Sequence, residues 1–294
     1  MNTLRDKPLV VITGPTASGK TSLAIKIAKK YNGEIISADS RAIYIGADIG
    51  TAKPTAKEQA EVKHWGIDLV KPSQYFSAAD YKKYANEKID EIRSRGHIPI
   101  LVGGTGLYID AILFDYQFGP KASKMRRFLL QHASIGYLYA YCARHNIELP
   151  ENYKNKRYVI RAIEMNGAKQ KKSSTPADDC IIVGIATDST VLRDRIVKRA
   201  AQIFNDGAID EARRLGRKYG WRSEAMKSNI YPLAKLYIKG KISLDEAIER
   251  FITLDWRLAK RQLTWMRRNK FIHWLSLVDA EKYIVDQLAK IEQL

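Results

Sequence analysis

The chain has little cysteine and no long apolar run, and each of these absences excludes a class of protein. Only two cysteines occur among the 294 residues, Cys142 and Cys180. Neither belongs to a CxxC pair, so neither a disulfide framework nor a zinc site is indicated. The N-terminal MNTLRDK is polar, and the longest apolar stretches, such as residues 180–186, have only the length of a strand. The sequence therefore predicts no signal peptide and no membrane span, and we expect a soluble protein of the reducing cytoplasm.

Acidic residues are too few to balance the basic ones. Lys and Arg number 50 against 32 Asp and Glu, which gives a formal net charge of +18. A surface this basic attracts polyanions, of which nucleic acid is the first to consider and an anionic membrane the second. The alternative is a lysine-rich composition that serves no ligand. A hydrophobic content of 45% predicts a folded core.

Short apolar runs alternate with amphipathic segments in the first hundred residues. Strands are predicted at 9–13, 34–38 and 98–102, and helices at 21–31 and 80–96. This alternation predicts an α/β fold with a parallel sheet flanked by helices. After a further strand at 180–186, the pattern from residue 189 onward predicts only helices.

The stretch GPTASGKT at 14–21 matches the pattern G-x-x-x-x-G-K-[ST] between a predicted strand and a predicted helix. Backbone N–H groups and the helix N-terminus of such a loop bind phosphates. Lys20 supplies a charge to the outer phosphate oxygens, and the Thr21 hydroxyl is placed to hold Mg²⁺. The predicted phosphate-binding residues are Gly14, Thr16, Ala17, Ser18, Gly19, Lys20 and Thr21.

The loop makes the predicted fold a P-loop NTPase-like core, which we divide into three segments. Residues 1–112 form the first part of the core. Residues 113–153 show no convincing strand and are predicted to be a small helical insertion. Residues 154–294 complete the core and add a basic helical C-terminal region.

The third strand ends in GGTG without the metal-binding acid that an ordinary NTPase needs. An acid follows the second strand instead, at Asp39, and it is our candidate general base. The alternative is that Asp39 is the N-cap of a following helix. Thr105 lies at the end of the third strand, so the loop, Asp39 and Thr105 are all expected at the carboxyl edge of the sheet, where ligands bind in open parallel sheets.

These stretches together resemble the tRNA dimethylallyltransferase family, also called tRNA isopentenyltransferase. The resemblance covers nearly the whole chain in the family's order, and DIGTAKP, GGTGLYI and RQLTWMR are its specific motifs. The matching segments are GPTASGKT (14–21), ISADSRAIY (36–44), DIGTAKPT (48–55), ILVGGTGLYI (100–109), RYVIRAIE (157–164), SLDEAIE (243–249) and KRQLTWMR (260–267).

The resemblance implies transfer of a dimethylallyl group from dimethylallyl diphosphate to N6 of adenosine 37, in the anticodon stem-loop of tRNA. Asp39 is then the base, Thr105 a hydroxyl near the acceptor or the donor oxygen, and Arg199 a ligand of the donor diphosphate. The alternative for Arg199 is a solvated helix face. Mg²⁺ is the implied cofactor, the helical insertion is expected to face tRNA, and a monomer is expected.

The resemblance also implies a set of tRNA-binding residues. Trp265, in a basic segment without acids, is suited to stacking on an unpaired base, and the alternative for it is packing in the core. The implied tRNA-binding residues are Asp39, Ser40, Arg41, Ala42, Lys53, Thr105, Arg157, Arg161, Arg261, Gln262 and Trp265.

The sequence departs from the family pattern at two motifs, and its helical insertion is shorter than the family's usual one. Ala42 stands where the family usually has glutamine or another larger residue. In SNIYPL at 228–233 only Tyr231 is kept, and Pro232 replaces a basic residue.

Three other functions compete with the transferase. A small-molecule kinase that binds ATP would share the loop but would leave DIGTAKP and RQLTWMR unexplained. An adenylate isopentenyltransferase would need no basic surface, which the net charge of +18 disfavours. A non-catalytic RNA-binding protein would not need Lys20, Thr21 and Asp39 intact.

Overall fold

A parallel six-stranded sheet forms the centre of the molecule in a computed structural model, which describes residues 7–119, 123–168, 171–177 and 179–292. The strand order is β3-β2-β4-β1-β5-β6, and every pairing is parallel. The predicted α/β fold with a parallel sheet is therefore confirmed. The strands are β1 (Leu9–Thr13), β2 (Gly33–Ala38), β3 (His64–Trp65), β4 (Ile98–Gly103), β5 (Cys180–Ile185) and β6 (His273–Leu275).

Helices make the connections that parallel strands require. Within the described ranges they are α1 (Lys20–Lys30), α2 (Ala56–Glu61), α3 (Ala78–Ser94), α4 (Gly106–Leu113), α5 (Lys124–His132), α6 (Ile135–Arg144), α7 (Lys156–Glu164), α8 (Ser189–Asn205), α9 (Ala208–Tyr219), α10 (Ile230–Ile238), α11 (Leu244–Met266) and α12 (Leu277–Glu292). None of these helices has the length and hydropathy that crossing a membrane requires.

Two short strands were not predicted. β3 has two residues and β6 has three, too few for an alternation of apolar and polar side chains to be visible. The prediction that only helices follow residue 189 is wrong, because β6 pairs with β5 from Val183 to Ile185.

The chain divides into two compact units. The larger comprises the chain up to Leu113 and from Thr175 onward, and it contains the whole sheet. The smaller spans Phe114–Ser174, whereas the sequence placed the insertion at 113–153. The difference is α7, whose Val159, Ile160 and Ile163 pack in one cluster with residues of α5 and α6. An apolar helix face shows that a helix is packed but does not show which unit it packs in.

The larger unit places its carboxyl-edge residues through stacked aromatic side chains. Tyr81 of α3 and Tyr108 of α4 stack with ring centroids 3.9 Å apart. The buried Tyr81 hydroxyl donates to the carbonyl of Ser37, at the end of β2. Because α4 begins directly after Thr105, this stack ties the end of β4 to the end of β2.

A buried carboxylate holds the loop that follows β2. Glu211 of α9 is 4% exposed and accepts the backbone N–H groups of Asp48, Ile49 and Gly50 at 2.8–2.9 Å. It also accepts the hydroxyl of Tyr231 at 2.8 Å. Four donors thus satisfy one buried carboxylate, as burial of a charge demands.

We expect Glu211→Ala to lower the free energy of unfolding by about 3 kcal/mol or more, at ~1–3 kcal/mol for each buried donor that loses its acceptor. The measurement is urea unfolding followed by circular dichroism. The matched control is Glu249→Ala, an exposed carboxylate on α11, which should change the unfolding free energy by less than about 0.5 kcal/mol. Equal stability of the two variants would contradict a structural role of Glu211.

Candidate active site

The phosphate-binding motif lies between a buried strand and a helix. All five residues of β1 are buried, and α1 begins at Lys20. The residue before it, Gly19, has φ +91°, which residues with side chains rarely adopt and which turns the chain into the helix. Ala17 and Thr21 are half-buried on either side of this turn.

Lys20 is held inside the loop that contains it. Its Nζ donates to the carbonyl of Pro15 at 2.7 Å. Burial and the positive charge of Arg199 together lower the pKa of Lys20 to about 8, and the negative charge of Asp39 opposes both effects. Arg199 and Asp39 therefore both lie within electrostatic range of the Lys20 ammonium group.

Thr16 joins the loop to two distant helices. Its hydroxyl accepts a hydrogen bond from Nη1 of Arg199 on α8. Its backbone N–H donates to Oε1 of Gln262 on α11 at 2.8 Å. A Cβ on Gly104 would lie 2.3 Å from Nε2 of Gln262, so the glycine at this position leaves room for the glutamine. The structure places Gln262 at the phosphate loop, a contact that its assignment to tRNA binding did not include.

A second arginine of α8 also contacts the loop. Nη1 of Arg195 donates to the carbonyl of Ser18 at 3.4 Å. The Ser18 hydroxyl is buried and has no hydrogen-bond partner among the described residues. Arg195 was missed in the sequence, although its spacing of four residues from Arg199 puts both on one helix face.

Asp39 follows β2 directly and caps a turn. Its Oδ1 accepts the backbone N–H of Arg41 at 2.8 Å, and no described residue donates a hydrogen bond to its Oδ2. Residues 40–43 form turns and Tyr44 forms a β-bridge with Val70, so the alternative that Asp39 caps a helix is wrong. Its second carboxylate oxygen is thus left for a ligand.

Thr105 holds the neighbouring residue of the same turn. Its Oγ1 accepts the backbone N–H of Ser40 at 3.1 Å and lies 3.4 Å from the Ser40 hydroxyl. The backbone N–H of Thr105 donates to the carbonyl of Ala38. Thr105 and Asp39 are therefore joined through the ends of two adjacent strands.

One face of α11 runs along this edge of the sheet. Asp255, Ala259, Gln262 and Met266 recur at helical spacing on that face. Asp255 is 5% exposed and accepts a hydrogen bond from Asn229 at 2.8 Å. Burial raises the pKa of Asp255, whereas the positive charge of Arg199 lowers it. Sequence inspection missed Asp255, because a single acid in a helix carries no distinguishing pattern.

Trp265 lies on an adjacent face of α11 and is half-buried. Its Nε1 donates to Oδ2 of Asp110 at 2.6 Å, and its ring fills the space above Gly106. The guanidinium of Arg268 lies 5.7 Å from the ring centroid. Much of the Trp265 indole is therefore packed against the protein, as the second alternative stated. The rest of the ring is exposed beside the guanidinium of Arg268.

Two residues that the resemblance assigned to tRNA binding lie in the interior. The Lys53 side chain is 3% exposed, and its Nζ donates to the carbonyl of Tyr44, to Asp48 and to Asp68 at 2.6–2.7 Å. All three of its protons have acceptors, so Lys53 stabilises the loop and is not presented to RNA. Ala42 is 4% exposed, and its methyl group is likewise withdrawn from the surface.

The other predicted tRNA-binding cations are accessible. Arg41 is half-buried and its Nη1 donates to the carbonyl of Glu224 at 3.4 Å, while Arg261 is exposed on α11. In the smaller unit, Arg157 is exposed, and Arg161 donates to Glu164 at 3.4 Å.

The arrangement is suited to binding a polyanion beside a carboxylate. Lys20, Arg195 and Arg199 at present bond to neutral oxygens of Pro15, Ser18 and Thr16. A diphosphate would offer these cations charged acceptors, which make stronger hydrogen bonds. Asp39 stands close enough to act on a group bound beside that diphosphate.

Comparisons with known proteins identify the family to which the chain is similar. The family model described as IPP transferase matches residues 42–269. A tRNA dimethylallyltransferase of Acetivibrio thermocellus is 39% identical over 299 residues, covering 95% of this chain and 96% of the relative. One of Staphylococcus epidermidis is 37% identical over 286 residues, covering 91% and 86%.

Solved structures have the same fold. The full-length tRNA isopentenylpyrophosphate transferase of Bacillus halodurans superposes with a TM-score of 0.74 at 34% identity, covering 98% of each chain. A eukaryotic dimethylallyltransferase acting on tRNA superposes with a TM-score of 0.75 at 22% identity, covering 92% of this chain and 74% of the other, and shows the fold alone. The extent of these matches establishes that the chain belongs to the IPP transferase family.

Proposed function

We propose that the protein is a tRNA dimethylallyltransferase, which transfers the dimethylallyl group of dimethylallyl diphosphate to N6 of adenosine 37 in tRNA. The observation that carries the proposal is that Lys20, Arg195 and Arg199 all contact the phosphate-binding loop, while Asp39, within electrostatic range of Lys20, has an Oδ2 to which no described residue donates a hydrogen bond. The cations can bind an anion, and the carboxylate of Asp39 can accept a proton. Its relatives bear the same activity in their names.

The loop binds the donor diphosphate. Lys20, Arg195 and Arg199 exchange their neutral oxygen partners for phosphate oxygens, and the helix N-terminus at Gly19 adds a favourable potential. As the allylic C–O bond breaks, negative charge grows on the diphosphate. Fixed cations beside that charge stabilise the transition state more than the ground state.

Mg²⁺ fits this site as a companion of the donor. Mg²⁺ is commonly held by one or two protein oxygens together with substrate phosphates and waters. The hydroxyl of Thr21, in the first turn of α1, would be its protein ligand. When bound, the ion would neutralise part of the charge on the leaving diphosphate.

Asp39 removes the proton from the acceptor. N6 of adenine forms the new bond to the allylic carbon, the C–O bond to diphosphate breaks, and Oδ2 of Asp39 takes one N6 proton. An exocyclic amine is a poor nucleophile, so a positioned carboxylate helps. Thr105 keeps the turn in place by accepting the N–H of Ser40.

The acceptor base must leave its stack to reach Asp39. Turning a base out costs a few kcal/mol, which contacts between basic groups and the RNA backbone offset. The exposed Arg157 and Arg261 supply such contacts. All residues proposed for the reaction come from one chain, so we expect the protein to act as a monomer. Because its proposed substrate is tRNA, we expect the enzyme in the cytoplasm.

The first test incubates the protein with Mg²⁺, dimethylallyl diphosphate and unmodified tRNA that contains A36, A37 and A38, and parallel incubations supply AMP or ATP. Nucleoside mass spectrometry should find an adenosine heavier by one dimethylallyl group with the wild type and none with Lys20→Ala. Prenylation of AMP in place of tRNA would establish the nucleotide-acceptor enzyme. Consumption of ATP without prenyl transfer would establish the kinase.

Asp39→Asn should lower kcat by about 10²- to 10⁴-fold, the range typical of a general base, and should leave the Kd for tRNA unchanged. Asparagine keeps the oxygen that accepts the Arg41 N–H, so the turn persists. The measurements are single-turnover transfer and filter binding. Turnover comparable to that of the wild type would remove Asp39 from the role of base.

Donor binding should weaken as the pH rises, because the pKa of Lys20 is lowered to about 8 and only the protonated amine attracts phosphate. One linked proton predicts a loss of up to about tenfold in affinity per pH unit above pH 8. Calorimetric titration of dimethylallyl diphosphate without tRNA from pH 7 to 9 measures it. The control is Lys20→Arg, which stays charged and should give a flat profile. The same slope in both proteins would assign the proton to another group.

A further inference from the structure

Tyr75 presents an aromatic ring to solvent close to the candidate active site. It is 65% exposed, and no described aromatic ring or cation stacks on it. The next residue, Phe76, points the other way and packs against the core cluster that includes Tyr44. An exposed tyrosine beside an anchored phenylalanine therefore has a defined position without being part of the core.

Residues 70–72, which come shortly before Tyr75, are hydrogen-bonded to two different parts of the chain. The N–H of Ile45 donates to the carbonyl of Val70 at 2.9 Å. The N–H of Ala225 donates to the carbonyl of Pro72 at 3.1 Å. The segment thus lies between the turn that follows Asp39 and the 3-10 turn Ala225–Lys227.

Hydrogen bonds bring the segment just before Tyr75 next to Arg41 and the turn that follows Asp39, because Arg41 donates to the carbonyl of Glu224 and the adjacent Ala225 donates to the carbonyl of Pro72. Burial raises the pKa of Tyr108, and the neighbouring Tyr44, Asp39 and Tyr75 raise it further. Asp39 and Tyr75 are therefore both within electrostatic range of one hydroxyl. The half-buried Arg41 lies within the same range and offers a cation for a backbone phosphate.

We propose that Tyr75 stacks on the unpaired base that neighbours the target adenosine in the RNA. This proposal rests on the proposed function, which requires that the adenine leave its stack. Its neighbours in the loop then lose a stacking partner, and the exposed ring of Tyr75, on a segment bonded to the turn that follows Asp39, replaces it. The buried methyl group of Ala42 cannot make a comparable contact.

An aromatic side chain can be exchanged here without disturbing the fold, because most of Tyr75 is in solvent. Tyr75→Ala should weaken binding of an anticodon stem-loop RNA by about 5- to 100-fold, the range for loss of one base–aromatic stack. Tyr75→Phe keeps the ring and should bind within about twofold of the wild type. The control Val278→Ala, 77% exposed on α12, should have no effect.

A double-mutant cycle separates stacking from a structural role. The RNA is made with an abasic site at position 36 or 38, and each form is bound to the wild type and to Tyr75→Ala. If Tyr75 stacks on one of these bases, the abasic RNA and the alanine variant lose the same interaction, and the two losses do not add. Additive losses at both positions, or wild-type binding by Tyr75→Ala, would overturn the proposal.

The cycle measures binding alone and so is distinguishable from the test of prenyl transfer. A non-additive cycle in a protein that transfers no dimethylallyl group would support the stacking role and refute the proposed function. Prenyl transfer by a protein whose cycle is additive would refute the stacking role only.

Discussion

The hydrogen bonds of Thr16 join the phosphate loop, near the start of the sequence, to two helices in the C-terminal part of the chain. Arg199 of α8 bonds to its hydroxyl and Gln262 of α11 to its backbone N–H. The phosphate loop comes from the first strand crossover, whereas both partners lie in helices about two hundred residues later. These helices supply the loop with a second cation, Arg199, and with a link to α11 through Gln262.

This connection brings like charges together at an energetic cost. Lys20 and Arg199 repel each other in a buried setting, which is part of the reason that the pKa of Lys20 is lowered to about 8. A bound diphosphate would attract both cations and so offset their mutual repulsion. Asp39 offsets part of the repulsion meanwhile, and Asp255 offers Arg199 a second negative charge nearby. Lys20 and Arg199 are therefore already in place before an anion binds, which is the preorganisation that electrostatic catalysis requires.

The sequence predicted what depends on neighbouring residues and missed what depends on distant ones. The strand, loop and helix around GPTASGKT are contiguous, so their arrangement could be read directly. Lys53 belongs to a specific motif, yet its three acceptors lie up to fifteen residues away, and only the folded chain shows that it is buried. Gln262 carries no sign of its contact with Thr16, because the two are separated by 246 positions. β6 was missed because a three-residue strand is defined by its partner and not by its own pattern.

In the proposed reaction, the donor and the acceptor would contact different kinds of surface. The donor side consists of loop backbone, the N-terminus of α1 and the cations Lys20, Arg195 and Arg199, of which Lys20 and Arg199 are half-buried and Arg195 is exposed. The proposed acceptor side includes the exposed side chains of Arg261 and Tyr75. Asp39 stands between them, at the end of a buried strand with one oxygen fixed by the Arg41 N–H. Selection of the RNA can therefore change through substitutions at the rim, whereas the reaction depends on residues that the core of the protein holds in place.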